Sequence, residues 1–249
     1  MTDHVLDSCG VVLHGPAVSK DQMKELYDYY KSLGINNIVI SSYSNSIPDD
    51  MADEDFVINN DDILGKYTLF RGPRGPRNLN YHILTTRNGI SYFKDNEDIK
   101  YILKCRADMK VNLLDSYLKK WVDILSQLPL ATVITGEDLV VSSPLEKKIL
   151  TLGRCSKKER NPWYISDYFY FGTKLDQITF WDIPLVPLKT SLGRAEEYLS
   201  SAFLGGMNKA RQLKLNHADY FVFVPHMAAD LYSYKWKRDM TTSAVVKIG

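Results

Sequence analysis

The first forty residues constrain the fold most. Val11, Val12 and Leu13 make a short apolar run that ends in His14-Gly15-Pro16, the signature of a strand running into a turn. Ser19 with Gln22 three residues on has capping-box spacing and marks a helix start. Met23, Leu26, Tyr27, Tyr30 and Leu33 then recur at helical spacing and give one apolar face, and Gly34 stops the helix. A second apolar run over 35–40, ending in Ser41-Ser42, completes a βαβ unit, whose strands must lie parallel.

The alternation continues down the chain. A third strand is expected over 56–58, followed by a loop over 61–77 rich in Gly, Pro and Arg. A helix over about 80–88 and a strand over 101–105 come next. Leu114, Tyr117, Leu118, Trp121, Ile124 and Leu125 predict an amphipathic helix, and 131–135 another strand. Farther on, 164–172 is aromatic and strand-like, 174–181 and 196–203 read as helices, and 220–224 as a late strand. This pattern predicts an α/β domain with a central, mainly parallel sheet flanked by helices. Neither an internal repeat nor a low-complexity linker is present, so 1–249 reads as one domain.

Composition narrows the function. With 31 basic and 30 acidic residues the formal charge is +1, which argues against a general nucleic-acid binder. The cysteines, Cys9, Cys105 and Cys155, are odd in number and far apart, so they form neither a disulfide framework nor a zinc pair. No apolar stretch reaches the length of a membrane span. The segment 1–10 carries Asp3 and Asp7 and lacks an apolar core, so it is not read as a signal peptide. A cytoplasmic protein, at most peripheral at a membrane, is expected. There is no Gly-x-Ser-x-Gly elbow and no Walker A sequence.

Lys104-Cys105-Arg106-Ala107-Asp108 carries the most chemistry. It closes a predicted buried strand, where open α/β sheets bind ligands, and the strand period puts Lys104, Arg106 and Asp108 on one side. A carboxylate there suits a divalent cation on a diphosphate, and the arginine suits phosphate or ribose. An ordinary ion pair at a strand end gives the same spacing. The loop Arg71-Gly72-Pro73-Arg74-Gly75-Pro76-Arg77 holds three arginines between Gly-Pro pairs. It suits either an anionic substrate or a solvated loop. His217 and His226 fall near the last strand, where a lone histidine is more often structural.

These segments resemble, in order, the WavE lipopolysaccharide synthesis family. The family's Lys-x-Arg-x-Asp form is matched at 104–108, its opening strand–turn at His14-Gly15-Pro16, and the close of its second strand at Ser41-Ser42-Tyr43. Asn78-Leu79-Asn80-Tyr81-His82-Ile83, with Thr86 and Gly89, is similar to its Asn-x-Asn-Arg-Gln-Ile helix, with Tyr81 in place of the arginine. Ser166-Asp167-Tyr168-Phe169-Tyr170-Phe171-Gly172, with Asp176, and Ala195-Glu196-Glu197-Tyr198-Leu199 match two later segments.

The resemblance implies a Rossmann-type domain of the GT-A kind, with a nucleotide-binding half over about 1–110 and an acceptor-binding half over about 111–249. It implies a glycosyltransferase moving a sugar from a nucleotide-sugar to a glycan or glycolipid, with no nucleic-acid partner. His14, Gly15, Pro16 and Ser42 would shape the nucleoside pocket, and Asn80 and Arg106 would contact ribose or diphosphate. Arg87, or the loop arginines, would stand in for the arginine missing at Tyr81. Asp108 would hold Mn²⁺ or Mg²⁺, with only one acidic residue where related sites carry Asp-x-Asp. An inverting transfer needs a carboxylate base. Glu196, at a helix start, comes first and Asp167, beside the aromatic run, would hold the acceptor. A retaining transferase, a nucleotidyltransferase and a non-catalytic carbohydrate-binding protein remain as alternatives.

Overall fold

A computed structural model describes residues 4–42, 46–51, 56–58, 70–72, 75–77, 79–113, 115–127, 132–134, 140–151, 163, 165, 167–186, 195–223, 229–233 and 238–239. The chain opens with α1 (His4–Asp7), β1 (Cys9–His14), α2 (Lys20–Ser32), β2 (Asn37–Ser42) and β3 (Phe56–Ile58). A hairpin of β4 (Phe70–Gly72) and β5 (Gly75–Arg77) follows, then α3 (Leu79–Tyr92), β6 (Tyr101–Arg106), β7 (Met109–Leu113) and α4 (Asp115–Ser126). After β8 (Thr132–Ile134) and β9 (Val140–Ser142) come β10 (Ile149–Thr151), β11 (Phe169–Thr173) and α5 (Lys174–Trp181). The chain continues through α6 (Ala195–Ser201), α7 (Met207–Gln212), α8 (His217–Tyr220), β12 (Phe221–Phe223), β13 (Ala229–Ser233) and β14 (Arg238–Asp239).

Seven strands form the central sheet in the order β12-β10-β11-β6-β1-β2-β3. Neighbouring strands pair in parallel except where β11 runs against β6 on one side and β10 on the other. This is the mainly parallel α/β arrangement that the alternation predicts. Strand alternation sends successive side chains to opposite faces. Val11, Leu13, Leu103, Cys105, Phe169 and Phe171 pack on one face with Met23, Leu26 and Tyr30 of α2 and with Leu118, Trp121 and Leu125 of α4. Val12, Val39, Ile102 and Tyr170 pack on the other with Ile83 and Ile90 of α3 and with Phe180 and Trp181 of α5.

The local signals at α2 are realised with one change. The Ser19 side chain accepts from Gln22 N, but the Gln22 amide accepts from Val18 N and donates to Ala107 O. Thus the residue that helps start α2 also fastens the turn after β6. Leu33 is the C-cap, and Gly34 follows at φ +83°, a conformation that favours glycine. The segment 61–77, expected as a loop, contains the β4–β5 hairpin; the strands β7, β9, β10 and β13 are also absent from the sequence reading. Each is five residues or fewer, too short for a period to show.

Candidate active site

The sheet has a switch point beside β1. The chain runs outward from β1 to β2 and β3, then returns to place β6 on the other side of β1. Diverging connections open a crevice at the carboxyl ends of such strands. His14 and Arg106, the last residues of β1 and β6, are register partners there, and Val12 pairs with Lys104 one pleat below. Since all four share a face, Lys104 and Arg106 project to the side covered by α3 and α5.

The turn after β6 is pinned from three directions. Ala107 N donates to His14 O at 2.8 Å, Arg106 N donates to Tyr168 O at 3.3 Å, and the Gln22 amide donates to Ala107 O at 2.8 Å. On this turn Arg106 forms a two-pronged pair with Asp108: Nε donates to Oδ1 at 2.9 Å and Nη2 to Oδ2 at 2.7 Å. Its Nη1 donates to Asp167 at 3.2 Å and 3.4 Å, and the guanidinium lies 5.5 Å from the centre of the Tyr168 ring. Burial opposes its charge, but Asp167 and Asp108 outweigh burial and hold it protonated. Asp167 would be pushed up by burial; Arg106, His82 and Lys104 instead hold its carboxyl well below the usual range.

Lys104 is fully buried. Its ammonium donates to the Asp167 carbonyl and sits 5.1 Å from both the Tyr170 and Trp181 ring centres. Burial, with a smaller opposing effect from Asp167, brings its pKa down to about 7. A buried lysine so displaced from its ordinary value, at the carboxyl edge of the sheet, marks a candidate site.

Two histidines complete the cluster. The Thr85 hydroxyl donates to Tyr81 O at 2.8 Å, so it accepts from His14 Nδ1–H at 3.3 Å. His82 Nδ1–H donates to Asp167 Oδ2 at 3.1 Å. With Nδ1 as the donor, the neutral form of each ring leaves Nε2 bare. Burial, then Lys104, depresses both, His14 well below the usual value and His82 to about 4. His82 stacks on Trp181 at 5.4 Å between ring centres, and His14 lies tilted against His82 at 4.4 Å. His14 Nε2, His82 Nε2, the Tyr170 hydroxyl and Trp181 Nε1 are buried without a hydrogen-bond partner among the described residues. Unpartnered groups gathered around one ammonium are uncommon in a purely structural core.

The structure separates the sequence-derived residues into two sets. His14, Arg106, Asp108 and Asp167 meet in one cluster. Glu196, in the first turn of α6, acts on the same buried Tyr170 hydroxyl as Asp167; after burial, these two carboxylates push that phenol up. The other set is engaged in the fold. Gly15 takes φ +83° and its N–H donates to Ser41 O, while the Ser42 hydroxyl donates to Gly15 O at 2.8 Å. These contacts shape the turn through Pro16, itself exposed. The Asn80 amide is clamped to Val186, donating to its carbonyl at 2.9 Å and accepting from its N–H at 2.7 Å. Its place is therefore structural, tying α3 to the segment after α5. Arg87 lies five residues beyond His82, about 140° round α3 from the face that carries the cluster.

Asp176 accepts from Glu146 N, Lys147 N and the Thr173 hydroxyl, and so ties Thr173, the N-cap of α5, to the approach to β10. His217 opens α8 against Trp163, away from the charged cluster. Cys155, Arg74, Ser166 and His226 lie outside the described residues; of Arg71 and Arg77 only the backbone is described. His82 and Trp181 escaped the sequence reading. The signals for His82 were its place in the segment that resembles the family's Asn-x-Asn-Arg-Gln-Ile helix and the helix face that it shares with Thr85, Thr86 and Gly89.

The cation expected at Asp108 fits this donor set poorly. Both Asp108 oxygens accept from one guanidinium, and Asp167 is divided between that guanidinium and His82. A divalent ion at either carboxylate would lie against Arg106. Among the described residues no group of three or more His, Cys, Asp or Glu side chains is arranged to hold a metal.

Comparison with known proteins follows the same ground. The family model for WavE lipopolysaccharide synthesis matches residues 13–212, which include every residue of this cluster. A solved structure described as a glycosyltransferase involved in the glycosylation of the major capsid of PBCV-1 is similar at 14% identity, covering 77% of this chain and 74% of that chain, with a TM-score of 0.37. No curated protein matches. With the match running from the end of β1 through α7 and taking in the whole charged edge, the chain belongs to the WavE lipopolysaccharide synthesis family.

Proposed function

We propose that the chain is a glycosyltransferase of the GT-A kind that moves a sugar from a nucleotide-sugar to a glycan or glycolipid acceptor in surface-polysaccharide synthesis. The observation that carries this reading is the juxtaposition of Lys104 and Arg106 at the switch-point edge, within a cluster containing Asp108 and Asp167. Family membership supports it. In this reading the donor's diphosphate lies over the two cations, and the nucleoside extends toward the turn at Gly15 and Ser42.

In an inverting transfer the acceptor oxygen bonds to the anomeric carbon as the bond to the diphosphate oxygen breaks. The bonding pair leaves with the nucleoside diphosphate, and a carboxylate takes the acceptor proton. Asp167 is a weak base, because Arg106 and His82 stabilise its charged form. Its work is to hold those two groups, and the base is Glu196. Tyr168, part-exposed beside Arg106, is the ring that suits a sugar face, while Tyr170 and Trp181 are fully buried around Lys104.

The test is a thermal-shift panel of nucleotides and nucleotide-sugars. A ligand that binds only the native state at a hundredfold excess over Kd adds about 2.7 kcal/mol. One nucleoside diphosphate and its sugar should raise Tm above all others. Silence across the panel, with a shift from free oligosaccharide, would replace the transferase with a carbohydrate-binding protein.

A further inference from the structure

We infer that the departing nucleoside diphosphate is neutralised by the Arg106 guanidinium and the Lys104 ammonium in place of a divalent cation. The inference rests on the transferase reading above.

The geometry of Arg106 is the first ground. Asp108 takes Nε–H and an Nη2–H, and Asp167 takes an Nη1–H, so each Nη keeps a second N–H with no partner among the described residues. The side chain is 25% exposed, so this free edge of the fork can meet ligand. With Asp108 on Nε and Nη2 and Asp167 on Nη1, the plane is held at a fixed angle, and its remaining N–H donors suit phosphate oxygens.

The second ground is the fate of the carboxylates. In a metal site at this edge, acidic side chains keep lone pairs for the ion. Here the two acidic side chains that reach the end of β6 both accept from Arg106, and His82 donates to Asp167 from its other side. A cation could join them only by displacing Arg106 or by lying against a like charge. The protein's own cation already occupies the position between the carboxylates.

Lys104 is the third ground. It supplies a further positive group from beneath, buried between Tyr170 and Trp181, where the low dielectric makes its charge felt strongly. As the bond to the anomeric carbon breaks, the diphosphate gains one negative charge, and the fixed pair Arg106 and Lys104 is placed to receive it without reorganisation. Asp108 then positions Arg106 and binds no ligand itself.

The experiment is calorimetric titration of the full chain with UDP, GDP, CDP, ADP and dTDP, each in EDTA and again in Mn²⁺. One diphosphate should bind with the same Kd in both media. Arg106→Ala should weaken that Kd roughly 10- to 150-fold, the loss of a charge-assisted hydrogen bond, with Arg106→Lys in between. Asp108→Asn should weaken it equally in EDTA and in Mn²⁺. The wild-type comparison stands even if Arg106→Ala fails to fold. Binding seen only with Mn²⁺ would overturn the inference and leave the transferase reading intact. Absence of binding by every diphosphate in both media would overturn the two together.

Discussion

Lys104 and His82 share one carboxylate residue yet answer to pH in different ranges. Lys104 loses its proton near pH 7 in the free protein, and an arriving anion raises that value. Diphosphate affinity should therefore be full below about pH 7 and decline as pH rises through it. Lys104→Met should bind weakly with a flat profile; an unchanged profile in that variant would remove Lys104 from the anion. His82 titrates at about 4 in the folded state against an ordinary 6.5, so the unfolded chain takes up the proton first. The stability that His82 contributes is present above 6.5 and lost as pH falls toward 4. Asp167, held low, adds a loss in the same direction at still lower pH. Tm measured against pH should fall across the first window in the parent and less steeply in His82→Gln. At this scale the sequence shows Arg106, Asp108 and Asp167 because charged residues at strand ends are visible as such. His82 and Trp181 are invisible as site residues, since their roles come from a stack formed across 99 positions, the difference between 181 and 82.

Among the elements, α3 is the one most closely fitted. A Cβ on Gly89 would fall 2.5 Å from Val12 Cγ1 and 2.8 Å from Ser41 Cβ, so only glycine lets the helix lie this near β1 and β2. Gly89→Ala should cost about 1–3 kcal/mol through overpacking, read as a lower denaturation midpoint. Asn80, at the other end of α3, should cost a similar ~1–3 kcal/mol when replaced by Ala, because two buried backbone groups of Val186 lose partners. Its nucleotide Kd should not move; a weakened Kd would return Asn80 to the donor. The helix itself was expected over about 80–88, whereas the clamp was not legible. A buried Asn on a helix says that it has partners without saying whether ligand or backbone supplies them. Likewise, Ser19 announced the start of α2, but nothing local in Gln22 told that its amide would hold the turn at Ala107.

For the whole molecule, long regular segments fixed the class of fold, because parallel strands and helices write their periods into contiguous sequence. The β1–α2–β2 unit and α4 were readable this way. The order of strands beyond β6 was not, since pairing of β11 between β6 and β10 depends on contacts far apart in the chain. No helix among the described residues is long and apolar enough to cross a membrane. The direction of β11 has one more consequence. Because it runs against its neighbours, its beginning, and not its end, reaches the edge where β1 and β6 finish, and it delivers Asp167 there. A chain emerging from the ribosome carries His14, Lys104, Arg106 and Asp108 well before it carries the residue that joins them. Until β11 has docked, Arg106 and His82 lack their shared partner, so this charged edge cannot be complete before residue 167 is in place.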